Sequence, residues 1–367
     1  MGILAPVSLA LGALVLLGGA CWLPAATRVD GTGAAGTGGS SSGGNEPGGG
    51  GSGPGGSGAG GSSAGGGGAG AAAGMGGAGG EGGAGGAGGG PGCTSPGVWP
   101  DSTVHCSDGA ASPCPEAFED GSIVGTAQSY TTTATVHDDV TGLDWETTVP
   151  GTNSTYAEAA LHCSTLGSGW HVPSLRELVS IVDWGRSPTI PAVFSQESMF
   201  FWTSSPHVQP DAHWGINLGG GTVAGYANNL DVGPRRVRCA RGCLAQVLSD
   251  TGTEILDSLT GLLWQKTADP TPRTWTGALS HCETLGSGFR LPSVKELVTL
   301  FDPTPADHLP PIFPAGEPQG RYWSSTPTVG DTARAFGVDF GAQTFAEAGA
   351  SDELRTATNS TRCVKDP

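Results

Sequence analysis

Nine cysteines, a pair of repeated glutamates and a pair of repeated aspartates are the residues through which this chain could do chemistry. Free thiols would serve as nucleophiles, redox centres or zinc ligands, whereas bonded ones only staple a fold. Glu177 and Glu296 each follow a serine by three residues, in Ser174-Leu-Arg-Glu177 and Ser293-Val-Lys-Glu296. Two carboxylates at one repeated position suit acid–base work, but Ser-x-x-Glu before an apolar run is also the signature of a capping box. Both glutamates therefore read as helix starts. Asp138 and Asp257 stand three residues before Thr-Gly-Leu turns, where an aspartate commonly accepts bonds from its own backbone. His162 and His281 sit beside a cysteine with no second ligand in view. No Gly-x-Ser-x-Gly, His-Glu-x-x-His, P-loop or dinucleotide fingerprint occurs. The sequence assigns no catalytic residue, no metal and no cofactor.

The elements that must position these residues are announced by an internal repeat. Residues 138–194 return at 257–313 with a constant offset of 119. His162-Cys-Ser-Thr-Leu-Gly-Ser-Gly169 becomes His281-Cys-Glu-Thr-Leu-Gly-Ser-Gly288, and Phe201-Trp-Thr-Ser-Ser-Pro206 becomes Tyr322-Trp-Ser-Ser-Thr-Pro327. A period of this length is too long for a solenoid and implies two domains, each burying a core. The expected organisation is a leader at 1–21, a linker at 22–92, a collar at 93–128, and modules at 129–242 and 247–367.

Leu9–Leu17 has the length of a signal-peptide h-region, and Gly18-Gly-Ala-Cys21 resembles the bacterial lipoprotein signal in which the cysteine is acylated. Secretion with cleavage near Ala25–Ala26 is the alternative. The linker is almost wholly Gly, Ser and Ala. It cannot bury enough apolar surface to offset its ordering entropy, and as a flexible coil it reaches ~45 Å. A net charge of −17, with only Lys266, Lys295 and Lys365 as lysines, excludes nucleic acid as a partner. It also excludes electrostatic attachment to a membrane, which leaves a lipid anchor as the only membrane link.

In an exported chain the cysteines read as disulfides. Without Cys21 eight remain, and the duplicated pairs close within each copy: Cys163 with Cys239, Cys282 with Cys363. Cys93, Cys106, Cys114 and Cys243 then pair among themselves, in an order the spacing leaves open. Zinc is the rival reading, though the collar has no CxxC and one histidine, His105.

Thr155-Tyr-Ala-Glu158 opens a first helix and Ser174 or Ser293 a second, whose buried faces are Leu178, Ile181, Val182 and Leu297, Leu300, Phe301. Trp214–Leu218 and Phe336–Phe340 show the alternation of half-buried strands. The fold class is α+β, with two short helices and a small, mainly antiparallel sheet in each module.

Thr-Gly-Leu-x-Trp, the helix cysteine, Leu-Pro-Ser-x-x-Glu-Leu, Tyr-Trp-Ser-Ser-Thr and the final Arg-Cys-Val resemble, in that order, the C-terminal domain of the Legionella collagen-like adhesin, the Lcl C-terminal family. Copy one departs with His171-Val-Pro173 where the family carries Arg-Leu-Pro. The resemblance implies a C-type-lectin-like fold with a helix-to-last-strand disulfide, and a binding head on a bacterial surface. Gln209-Pro-Asp211 matches a tripeptide that holds calcium and sugar in true C-type lectins, but it lacks the companion Trp-Asn-Asp and has no counterpart in copy two.

The leading expectation is a surface-tethered adhesion protein, an outer-membrane or cell-surface lipoprotein or else secreted, that recognises glycan, matrix polymer or protein. The alternatives are a structural envelope component without a discrete ligand and an enzyme of the formylglycine-generating type. The copies agree through residue 194 and then diverge, which places recognition in 195–201, 206–213 and 219–236, and in 314–321, 327–335 and 341–361. The first set is expected to expose His207, Gln209, Asp211, Tyr226, Asn228 and Asn229; the second offers Asp331, Arg334, Gln343 and Arg355. Basic residues also gather at Arg235-Arg-Val-Arg238 and Arg241.

Overall fold

The computed structural model describes residues 93, 96–108, 114–116, 119–123, 125–194, 199–228, 235–286, 288–304, 308–341 and 349–367. Cys21, the 22–92 linker, Asn229 and Gln343 lie outside them.

Each module begins with a small antiparallel sheet that its last residues complete. In the first module Val136–Asp138 pairs with Asp144–Trp145, which pairs with the closing strand Ala240–Arg241. In the second, Glu254–Asp257, Leu263–Gln265 and Val364–Lys365 repeat the arrangement. The turns between the first two strands explain the repeated aspartates. Asp138 Oδ1 accepts from Val140 and Thr141 N–H, and Asp257 Oδ1 accepts from Leu259 N–H. The glycines that follow, Gly142 and Gly261, take φ of 75° and 78°, which a side chain would resist.

Two helices follow in each module: α1 (Tyr156–Thr165) and α2 (Leu175–Ser180), then α3 (Trp275–Thr284) and α4 (Val294–Val298). Complete capping boxes form at Thr155/Glu158, Ser174/Glu177 and Ser293/Glu296, so the repeated glutamates are helix caps. At α3 Gly277 stands where α1 has Glu158, and Thr274 caps alone. The second sheet of the first module runs Arg235–Arg236, Phe200–Pro206, Ala212–Asn217, Thr222–Ala227. Its counterpart has Arg321–Thr328, Asp331–Asp339 and Gly349–Leu354 in the same antiparallel order.

Disulfides tie the first helix of each module to the residue before its closing strand, at S–S distances of 2.06 Å for Cys163–Cys239 and 2.02 Å for Cys282–Cys363. Cys106 bonds Cys114 within the collar, and Cys93 reaches Cys243 at the junction.

The core departs from the expectation of one per module. Each has a small cluster of its own, Ala159, Cys163, Val172, Trp202, Val237 and Cys239 in the first, and Trp275, Leu279, Leu291 and Trp323 among others in the second. The main buried cluster runs through both modules, from Trp145, Leu178 and Trp214 to Trp264, Leu297 and Phe336. The reason lies in the second helices, which are buried on nearly every side and face each other. Arg176 of α2 donates to Thr299 O, and Lys295 of α4, the equivalent residue, donates to Ser180 O, the equivalent carbonyl. Gln128 and Gln246, at the two module entrances, bond the same pair of carbonyls. Trp214 packs edge-on against Phe301, and Phe336 against Trp184. The polar contacts are made twice with roles exchanged, the pattern of an isologous dimer within one chain; the aromatic pairs follow it only in outline, since Phe301 corresponds to Val182 and Trp184 to Pro303. Burial pushes Lys295 down to about 8, partly countered by Asp101 and Asp183.

The middle strands also differ from expectation. Trp214, Gly215 and Ile216 are all buried, as are Ala335, Phe336, Gly337 and Val338. Trp214 and Ile216 enter the shared core, while the opposite face meets the first helix, so neither face is free to be polar.

The collar lies across the junction. Pro100–Asp101 pairs in parallel with Thr126–Ala127. Thr103 is held by Asp183 of the first module, Ser102 Oγ accepts from Trp184 N–H, and Ser293 of the second donates to Asp101. Asp101 is pushed up to about 6 by burial and then by the neighbouring charge of Glu296.

Candidate functional site

In each module the tip of the middle hairpin meets the start of the first helix, and the backbone contacts there are the same in both. Asn228 N–H donates to Asp211 O and Arg355 N–H to Ala333 O, at 2.8 and 2.9 Å. Tyr156 N–H donates to Asn228 O, and Trp275 N–H to Arg355 O. Asn228 and Arg355 are thus one position, as are Tyr156 and Trp275, and His213 and Ala335.

The side chains at that position differ in kind. In the first module the Tyr156 ring stacks on His213 with centroids 3.6 Å apart, and His213 Nδ1 lies 2.7 Å from Asn228 Oδ1. Burial pulls His213 below the usual histidine value, which favours the neutral ring, against a smaller opposing effect of the Asn228 hydrogen bond. Asp211 is exposed at φ 55°, a conformation aspartate tolerates better than most residues. In the second module the Arg355 guanidinium lies 3.8 Å from the centroid of the buried Trp275 ring and donates to Thr332 O. Arg334 pairs with Asp352 at 2.8 Å. One patch is uncharged and aromatic apart from Asp211; the other presents arginines.

Several expected site residues fall elsewhere. His207 is buried, its ring 4.6 Å from Trp214 and packed on Gly225, where a Cβ would collide with the imidazole. It belongs to the module junction, because the strand end bends it inward over Trp214. Gln209 sits in the hairpin turn, its N–H donating to His207 Nδ1, and makes no cage with Asp211. Tyr226 is half-buried, 4.5 Å from Phe200, with the Arg235 guanidinium 4.9 Å from its ring and from Trp202. The third stretch does not lie wholly beside the second: Gly221 caps Trp184 Nε1 at the opposite strand end. Nor do the arginines form a surface patch. Arg235 and Arg238 are 1% and 0% exposed, and Arg238 donates to Glu146 O as Arg362 does to Gln265 O.

The histidines beside the helix cysteines have structural partners. His162 Nε2 lies 2.8 Å from Glu146, and His281 Nε2 lies 3.0 Å from Asp269, which Arg273 also holds. His171, the departure from Arg-Leu-Pro, bonds Glu177 at 3.2 Å, where Arg290 grips Glu296 with two bonds of 2.7 Å. Trp145, Trp264, Trp202 and Trp323 are fully buried. Among the described residues two groups bring three potential metal donors together, Glu146–His162–Cys239 and Cys106–Cys114–Glu119. In both the sulfur is locked in a disulfide and cannot act as a thiolate ligand.

Sequence reasoning missed the equivalence of Asn228 and Arg355, since length changes hide it, and missed Tyr156, His213 and Trp275 as neighbours of those residues. Pairing His213 with Tyr226 and Ala335 with Glu353 is what aligns them.

No curated protein matches the chain. The sequence profile of the Lcl C-terminal domain matches it twice, at residues 134–241 and 253–365. The chain belongs to the Lcl C-terminal domain family, with two copies in tandem.

Proposed function

We propose that this chain is an adhesion protein of the cell surface that binds extracellular glycan, matrix polymer or protein through the hairpin tip at the start of α1 and of α3. The supporting observation is that one backbone position, fixed by the same hydrogen bonds, carries Asn228 beside a Tyr156–His213 stack in one copy and Arg355 over Trp275 in the other. A rigid frame with changed chemistry at one spot is how a scaffold hosts recognition. Membership in a family associated with adhesin-like proteins agrees with this reading. Four disulfides mark an extracytoplasmic protein, and among the described residues no helix is long and apolar enough to cross a membrane. Attachment would come from acylated Cys21, with the 22–92 segment as tether. All eight described cysteines are bonded, which argues against the formylglycine-generating alternative.

The test is binding of the full chain to immobilised glycans and matrix polymers, with Asp211→Asn, Asn228→Ala and Arg355→Ala. Loss of binding to one ligand set in the first two variants, and to another in the third, supports the reading. Wild-type binding in all three while the folded protein still binds would sink it.

A further inference from the structure

A cavity of about 730 Å³ opens between the collar and the first module, outside the hairpin tips. Thr103, Ser122 and Gln128 line the collar side; Asp183, Arg186 and Pro191 line the other, with Tyr130 between. Most polar groups in this wall are already engaged. Asp183 accepts from Thr103 and Gly185 through both oxygens, and Gln128 donates to Ser180 O.

Two donors are not. Arg186 Nε is buried without an acceptor, and its guanidinium makes no hydrogen bond or ion pair among the described residues. The Tyr130 hydroxyl is also buried without a partner, while its ring is fixed edge-on against Phe194 at 5.1 Å. Arg241, Arg273, Arg290, Arg334 and Arg362, by contrast, each face a carboxylate. In a chain of net charge −17, an arginine left unpaired in a cavity is an unusual expense.

We propose that this crevice binds a sugar acid, its carboxylate on Arg186 and Tyr130 and its hydroxyls toward Ser122, Thr103 and the Gln128 carbonyl. A guanidinium and a phenol together match a planar oxyanion. The cavity is too large for a lone carboxylate, and besides Asp101 and Asp183 its remaining polar side chains are hydroxyl and amide groups that pair with hydroxyls. Asp183 and Asp101 line the same wall, so a doubly charged sulfate or phosphate is repelled more strongly than a single carboxylate. Because the collar occurs once, there is one such site per chain, independent of the hairpin tips.

The experiment is calorimetric titration of the full chain with glucuronate and galacturonate, beside methyl glucoside, acetate and sulfate. The expected result is saturable 1:1 binding of a uronate and none of methyl glucoside or sulfate. Arg186→Gln and Tyr130→Phe should each weaken that binding about tenfold, the scale of one charge-assisted bond. Neither should lower the melting temperature of the unliganded protein, since neither group has a partner to lose. Asp211→Asn should leave uronate affinity unchanged, which separates this site from the adhesion reading. Absence of uronate binding, equal binding of methyl glucoside, or full affinity in both crevice variants would overturn the proposal. Acetate binding as tight as uronate would overturn the sugar assignment.

Discussion

The shared core makes a definite claim about unfolding, and Trp214→Ala tests it. Trp214 is fully buried in the first module, where His207 packs on it at 4.6 Å, yet three of its contacts reach the second. Its ring lies 4.9 Å from Phe301 and 5.2 Å from His308, and its Nε1 donates to Pro303 O at 3.3 Å. Truncating a buried tryptophan costs about 3–5 kcal/mol through lost transfer energy and the cavity left behind. For a folded unit of this size each kcal/mol shifts the melting point by about 2–4 °C, so the fall should be roughly 6–20 °C. The decisive readout is cooperativity. Differential scanning calorimetry of the wild type should show one transition with calorimetric and van't Hoff enthalpies equal, and the variant one transition at lower temperature. Hydrogen exchange should quicken in α4 as well as in α2. Two wild-type transitions, only one of them moved by the substitution, would refute the shared core and restore two independent domains.

Three further outcomes are expected. The Glu177 hydrogen bond raises the His171 pKa, against the opposing effect of burial, so the pair stabilises the fold fully below the unfolded histidine value of about 6.5 and fades as pH rises through the raised folded value. With His171 more than a third exposed the effect is under about 1 kcal/mol, and His171→Arg should abolish the loss at alkaline pH in melts followed by circular dichroism. Tyr226→Ala should lower stability by roughly 1–2 kcal/mol, because its ring packs on Phe200 and Arg235, and chemical denaturation will show it. Cys21→Ser should move the protein from the detergent phase to the aqueous phase; an unchanged partition would count against acylation.

Much of the frame was legible because it is built from local signals. Capping boxes, the Asp turns and the buried faces of α2 and α4 each depend on residues a few positions apart, and the repeat doubled every signal. The shared core was not legible. Arg176 and Lys295 look like exposed helix charges in sequence, and only the opposing α helix shows that each reaches a carbonyl of the other module. His207 misled for a related reason: a polar residue after a strand usually turns outward, but Trp214 and Gly225 leave a slot that imidazole fills. The collar hid its role as well, since its contacts with Asp183, Trp184 and Ser293 span 80 residues and more.

Differences between the copies fall into two kinds, and the distinction carries the adhesion reading. Some are compensated inside the fold. Glu146 becomes Gln265, and both still accept from the backbone N–H of the disulfide cysteine, Cys239 or Cys363. His162 then pairs with Glu146, while His281 turns to Asp269 on a strand the first module lacks. His171 becomes Arg290, and both hold the capping glutamate. Such pairs drift together because a buried polar group without its partner is costly. The changes at Tyr156/Trp275, His213/Ala335 and Asn228/Arg355 are of another kind. Their backbone contacts persist, but the Tyr156–His213–Asn228 chain has no polar replacement in the second module, where Arg355 covers Trp275 instead. Trp275 and Ala335 are buried in the second module's own cluster, so of these three positions Asn228/Arg355 is the one that changes side-chain chemistry at a partly exposed place in both copies. A partly exposed position that keeps its backbone contacts and exchanges its side chain is what the proposed adhesion reading requires of a recognition site.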